Sequence, residues 1–301
     1  MAMIGFIGTG TIGGPMASKL LEHGHSMLVF DIDKKATQVH VNHGARAAAN
    51  VAEVAQLCAT VFLSLPGPTQ IEDVVLGDAG LINNGESLTT IIDLSTNSLA
   101  LNRRIAEFAQ SKNVHYLDAP VSGGKLAARD GTLSVMVGGD EVAFNGVRPL
   151  IECFGEHIFY MGLPGSGTLT KLVNNQIFLC ASVLIQEGFV LGAKAGIDPS
   201  ALLKVLKASS AGALLARAPL VLSRQFNLDV FALSIAAKDV AVALESASAV
   251  GASMPMTEAA HGVYVEALEQ GLGNEDFFAT VKVLEAAAGV ELPPLHKPKK
   301  S

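Results

Sequence analysis

Met3-Ile4-Gly5-Phe6-Ile7-Gly8-Thr9-Gly10-Thr11-Ile12-Gly13 is the stretch that decides how this chain is read. Met3–Ile7 is a short apolar run suited to a strand buried on both faces, and the glycines after it keep G-x-G-x-x-G spacing. Pro15-Met16-Ala17-Ser18-Lys19-Leu20-Leu21 continues as an amphipathic helix that Gly24 stops, and Met27-Leu28-Val29-Phe30 makes a second strand. The turn therefore offers backbone N–H groups and the positive end of a helix dipole, where a pyrophosphate can bind. Asp31 follows Gly8 at about the twenty-residue interval expected of an acid that accepts the ribose hydroxyls of a dinucleotide. Gly8, Gly10, Thr11, Ile12, Gly13 and Asp31 are thus candidate cofactor-binding residues. A carboxylate at Asp31 repels a 2′-phosphate, which favours NAD over NADP, and Lys34 and Lys35 soften that preference. Asp33 is better placed than Asp31 to cap the next helix.

A chain of 301 residues is long enough for two domains with separate cores. A formal charge of -7 with 16% charged residues leaves no basic footprint for nucleic acid, so an anionic ligand must meet a local cluster of positive groups. The mean hydropathy of +0.40 is high but comes largely from alanine spread along the chain. Ile177 to Gly196 comes nearest to a membrane span, and Gln186, Glu187 and Lys194 interrupt it, so it reads as a buried helix and no membrane partner is expected. Cys58, Cys153 and Cys180 show no metal-ligand spacing; an odd count with no signal peptide points to the cytoplasm, with no metal site.

Strand and helix alternate beyond Asp31. Thr60–Ser64, Thr90–Asp93, Val114–Asp118 and Leu133–Gly139 are the clearest further strands, and a helix follows from about Glu141. That rhythm predicts a doubly wound α/β sheet over residues 1–163, with ligands beyond the carboxyl ends of its strands. The loops Leu65-Pro66-Gly67-Pro68, Leu94-Ser95-Thr96 and Ala119–Gly124 lie at those ends. After Leu163-Pro164-Gly165-Ser166-Gly167 the pattern turns helical, giving an all-helical domain over 164–295 and a tail at 296–301. One long helix from Thr168 to about Ala195 joins the two domains, and Asp198-Pro199 starts the next.

Three further groups carry chemistry. Asp118-Ala119-Pro120-Val121-Ser122-Gly123-Gly124 supplies a hydroxyl and consecutive glycine N–H groups, which suit a carboxylate and equally suit a plain turn. Lys171 and Asn175 share a helix face, and their neighbours Leu172, Val173, Ile177 and Phe178 imply that the helix is mostly buried. Lys238-Asp239 is a charged pair in an apolar helix, either functional or a structural ion pair.

Together these segments resemble the 3-hydroxyisobutyrate dehydrogenase family of β-hydroxyacid dehydrogenases, over nearly the whole chain. The pattern is Gly5-Phe-Ile-Gly8-x-Gly10-x-x-Gly13-x-x-Met16-Ala17, Leu65-Pro66, Asp93-Leu-Ser95-Thr96, Asp118 to Gly124, Gly167-x-x-x-Lys171-x-x-Asn174-Asn175 and Lys238-Asp239. The resemblance implies a Rossmann domain followed by a helical one, with Lys171 as catalytic acid/base and Asn175 holding substrate. Ser122, Gly123 and Gly124 would grip the substrate carboxylate, Lys238 would stand at the mouth of the cleft, Leu65, Pro66 and Thr96 would touch the cofactor, and Phe231 would pack near the nicotinamide. Two features depart from the family or divide it. Lys125-Leu126-Ala127-Ala128 stands where many relatives have a further glycine, and Phe30-Asp31-Ile32-Asp33 differs from the Asn-Arg of relatives similar to NADP-using reductases. The lysine at 171, which imine reductases of this fold usually lack, argues for alcohol or carbonyl chemistry. The implied activity is NAD-dependent oxidation of a small carboxylate-bearing 3-hydroxy acid to its semialdehyde, or the reverse, by a homodimer or homotetramer. Reduction of a tartronate-, succinate- or sulfolactaldehyde-like semialdehyde is the alternative within enzymes, and a non-catalytic NAD-binding regulator is the alternative outside them.

Overall fold

The computed structural model describes residues 3–216, 218–227 and 231–294, so the tail at 296–301 lies outside the described residues. The chain forms two compact units that divide between Val173 and Asn174.

The first unit is built on nine strands: β1 (Ile4–Ile7), β2 (Met27–Phe30), β3 (Arg46–Ala47), β4 (Thr60–Leu63), β5 (Thr90–Asp93), β6 (His115–Asp118), β7 (Val121–Ser122), β8 (Leu133–Gly138) and β9 (Gly155–Gly162). They lie in the order β3-β2-β1-β4-β5-β6-β8-β7, with β9 on β8. The pairs from β3 to β6 are parallel, while β8 runs antiparallel to β6 and β7. Period-2 side-chain alternation sends Phe6, Phe62, Ile92 and Leu117 to one hydrophobic cluster and Ile7, Val61, Leu63, Ile91 and Tyr116 to another. Both faces are buried under helices, as a parallel sheet requires, so the strands read as nearly continuous apolar runs. The order reverses between β1 and β4, and the glycine turn follows β1 at that switch point.

Among its described residues the second unit has helices and an isolated bridge between Ala232 and Asp276 as its regular structure. Leu179, Val183, Phe189, Leu233, Ala236, Val240, Tyr264 and Phe277 form its core. The helix after Asp198 starts as expected: Pro199 takes its first turn and the Asp198 carboxylate accepts from the Ala201 N–H.

The helix Ser166–Lys194 departs from expectation. It is long and apolar enough to cross a membrane by length and composition, yet only 39% of its most apolar window is buried in this chain. Leu172 is buried, but Val173 and Ile177 are 50% and 59% exposed, which corrects the reading of a mostly buried helix. With Leu169, Leu184 and Leu191 they fall at steps of four, four, seven and seven along one face. The helix is apolar on two faces, and the chain by itself covers only one of them.

Candidate functional site

The glycine turn after β1 is shaped by contact. Gly8 has φ +90°, and a Cβ there would lie 2.2 Å from the Ser64 carbonyl oxygen; a Cβ on Gly13 would lie 1.9 Å from the Gly8 oxygen. Gly10 is different, since a Cβ there meets nothing within 4 Å, and Gly10 and Thr11 are exposed. The helix that follows, Gly13–Glu22, has Ile12 at its N-cap with no side-chain cap and no acid in its first turn. By contrast Asp33, Asn50, Ser98 and Asp140 cap the helices they precede. The Gly14 N–H bonds back to the Gly10 carbonyl and Pro15 has no N–H, so the open Gly10-Thr11-Ile12 backbone is the part that fits a diphosphate, and these residues suit a dinucleotide.

Asp31, at the end of β2, is held beside this turn. Its Oδ2 accepts from the Thr9 N–H at 2.7 Å and its Oδ1 from the Asp33 N–H at 2.9 Å. Thr9 Oγ1 also lies 3.5 Å from Oδ2, and a carboxylate has about four lone-pair positions, so acceptor capacity remains for a hydroxyl donor. Asp33 caps the helix Lys34–Val41 by accepting from the Lys35 N–H, which leaves Asp31 free of that duty.

Two further candidate loops close on the same end of the sheet. The Leu65 N–H donates to Ser95 Oγ at 2.9 Å, tying the Leu65-Pro66 loop to the segment that carries the half-buried Thr96. Ser122 is half-buried in β7, paired with Ser134 of β8, and Gly123 caps a short helix, Gly124–Asp130, that includes Lys125 and has no side-chain cap.

Asp118, at the end of β6, anchors the helix that carries Lys171. Its carboxylate accepts from the Gly165 N–H at 2.8 Å and the Thr168 N–H at 2.7 Å. Burial pushes the Asp118 carboxyl up to about 6, against the opposing pull of those two N–H bonds. Lys171, half-buried, comes three residues after Thr168.

In the second unit Asn175, Asp239 and Lys238 come together. Asn175 Nδ2 donates to Asp239 Oδ2 at 2.7 Å, and Lys238 Nζ lies 2.8 Å from Asp239 Oδ1. Lys238 thus shares its charge with its own neighbour. Phe231 stacks on Phe277 with ring centroids 4.8 Å apart. An apolar cleft of about 330 Å³, lined by Asn174, Phe178, Ile185, Val221 and Phe278 among others, opens beside Asn174.

Sequence reasoning passed over Tyr116, Asn97, Asn102 and Thr168, all buried and hydrogen-bonded near the ends of β5 and β6. A signal was present for Asn102. It follows Leu99 by three and precedes Ile105 by three, which puts an amide on the buried stripe of its helix.

Residues 3–162 match the family model of the NAD binding domain of 6-phosphogluconate dehydrogenase, and residues 165–284 match the model for NAD-binding of NADP-dependent 3-hydroxyisobutyrate dehydrogenase. The chain is 34% identical over 292 residues to 2-(hydroxymethyl)glutarate dehydrogenase of Eubacterium barkeri, covering 96% of this chain and 97% of that one. It is also 34% identical over 300 residues to NAD-dependent L-serine dehydrogenase of Pseudomonas aeruginosa, covering 96% and 100%. A solved structure of Mycobacterium tuberculosis 3-hydroxyisobutyrate dehydrogenase with L-serine matches at a TM-score of 0.85 with 28% identity, over 94% of this chain and 99% of that one.

Proposed function

Because the chain belongs to the 3-hydroxyisobutyrate dehydrogenase group of β-hydroxyacid dehydrogenases, and is an oxidoreductase of hydroxy acids, we propose that it interconverts a short 3-hydroxy acid and its semialdehyde with NAD as preferred cofactor and Lys171 as acid/base. The observation that carries this reading is Lys171, a half-buried amine on a helix whose first turn Asp118 pins through two N–H bonds.

Bound, the dinucleotide would exchange a hydride with the carbon that bears the hydroxyl. In the oxidising direction a neutral Lys171 takes the hydroxyl proton; in the reducing direction its ammonium donates to the carbonyl oxygen and stabilises the developing alkoxide. Asn175, held by Asp239, orients the hydroxyl, and Ser122 with the Gly123 and Gly124 amides holds the carboxylate. Lys238 adds positive charge that Asp239 partly offsets.

NAD preference rests on the fixed Asp31 carboxylate and on likeness to an NAD-dependent relative. The exposed apolar stripe on Ser166–Lys194 supports a homo-oligomer, and three cysteines that form no disulfide suit a reducing cytoplasm. The test is Lys171→Ala. Turnover falls by at least a thousandfold, on the scale of general acid–base and charge stabilisation together, while NADH binding, read by fluorescence, is retained. Near-normal turnover removes the assignment.

A further inference from the structure

A chain of hydrogen bonds, buried from Ser95 onward, runs from the Leu65-Pro66 loop to the first turn of the helix that carries Lys171. The Leu65 N–H donates to Ser95 Oγ at 2.9 Å, and the Ser95 N–H donates to Asp93 Oδ1 at 3.0 Å. Tyr116 Oη donates to Asp93 Oδ2 at 2.7 Å and also lies 2.8 Å from Asn102 Oδ1. Asn102 Nδ2 donates to Thr168 Oγ1, and Asn97 Nδ2 reaches Asn102 Oδ1 at 3.0 Å. The Thr168 N–H ends the path on Asp118. Ser95, Asp93, Tyr116, Asn97, Asn102, Thr168 and Asp118 are each at most 5% exposed.

Seven buried polar side chains are a costly way to hold a sheet end together, since an apolar core would do so without desolvating them. Tyr116 is the joint of the path. Its hydroxyl has one proton and two acceptors within reach, one on each side, and burial together with the neighbouring Asp93 carboxylate pushes the phenol well above its usual range, so the proton is retained. One side leads to the loop at the cofactor end of β4; the other leads through Asn102 to Thr168, three residues before Lys171.

We propose that Tyr116 and Asn102 are positioning residues that couple occupation of the dinucleotide pocket to the placement of Lys171. A dinucleotide that orders the Leu65-Pro66 loop fixes Ser95 and Asp93, and the fixed Asp93 sets the Tyr116 proton and thereby the hold of Asn102 on Thr168. The inference rests on the reading of Lys171 as acid/base.

Tyr116→Phe removes one oxygen and keeps the ring. The expected result is a kcat about tenfold lower per folded molecule, the loss of roughly one buried hydrogen bond's worth of alignment, with KM for the hydroxy acid and Kd for NADH each within about twofold of the parent. Amide hydrogen exchange reads the coupling without turnover: NADH slows exchange over residues 166–172 in the parent and not in Tyr116→Phe. Thr168→Val gives the same pattern and Thr168→Ser, which keeps Oγ, restores the parent, so a pair of variants at the far end of the path decides the matter if Tyr116→Phe does not fold. Slowing retained in both Tyr116→Phe and Thr168→Val overturns the coupling, whatever Lys171→Ala does. Full turnover in Lys171→Ala removes the catalytic reading alone and leaves the exchange result standing.

Discussion

Replacing Asp118 by Asn changes how stability depends on pH, and the sign follows from the site. The carboxyl is 1% exposed and its acidity is shifted from an ordinary 3.8 up to about 6 by burial. A carboxyl that is harder to ionise in the fold than in the open chain costs stability wherever it is ionised. From about pH 7 upward that cost is complete, a gap of about two units worth roughly 3 kcal/mol. As pH falls from about 6 toward 4 the folded protein binds a proton that the unfolded chain does not, so this group's contribution to stability rises on acidification. Between about pH 7 and pH 5 the gain is roughly half of the whole, or 1 to 2 kcal/mol. The Asn variant cannot titrate there. It keeps one acceptor for the Gly165 and Thr168 N–H groups and turns an NH₂ toward the other, a loss of about 1 to 3 kcal/mol at every pH. At about pH 7 the relief of the buried charge and the lost bond nearly offset each other, and the variant is close to the parent. Toward pH 5 the parent pulls ahead by roughly 1 to 2 kcal/mol. Urea unfolding of both proteins across that range, followed by circular dichroism, measures the difference free of the other titrating groups. A stability gap that stays constant with pH, or that widens on alkalisation, refutes the reasoning.

Asp31→Asn leaves one acceptor oxygen where the carboxylate offered two, and kcat/KM with NAD falls about ten- to a hundredfold, the worth of one charged hydrogen bond. The NADP value changes far less, so the ratio of the two, measured by initial rates, moves toward NADP. Ile177→Glu with Leu184→Glu puts charge into the exposed apolar stripe, and light scattering after gel filtration is expected to report a monomer in place of the oligomer proposed for the parent. An unchanged mass places the interface elsewhere. Asn175→Ala takes the Nδ2 donor from the buried Asp239 Oδ2 and destabilises the fold by about 1 to 3 kcal/mol, read as a lower urea midpoint.

The Rossmann half was legible because its evidence is local. The strands at Ile4, Met27, Thr60, Thr90 and His115 are short apolar runs that need nothing distant to be recognised, and Asp33 and Asp198 act as caps as their positions in the sequence indicate. β9 was not legible, because its side chains are largely exposed along an edge and its Glu156-His157-Ile158-Phe159-Tyr160 sequence carries no period-2 apolar signal. The outer face of Ser166–Lys194 was misjudged for a related reason: an apolar residue announces that it avoids water, and not whether its own chain supplies the cover. The candidate site divides in the same way. Gly8, Gly13 and Asp31 follow from turn geometry and reach, whereas the pairing of Asn175 with Asp239, sixty-four residues away, has no local trace. The polar path through Tyr116 and Asn102 was invisible because each member looks like an ordinary strand or helix residue until the fold sets them side by side.

The parallel pairing of β1 has a consequence for how the protein is made. β1 is hydrogen-bonded by β2 on one edge and by β4 on the other, and it leaves the ribosome ahead of both. The crossover unit of β1, its helix and β2 can form early, but the second edge stays open, with Phe6 and Ile7 short of their cover, until Thr60–Leu63 has been synthesised. Throughout that interval the nascent chain displays an apolar strand edge of the kind that pairs with other chains. The segment that specifies the fold is therefore also the one whose exposure during translation sets the demand for shielding.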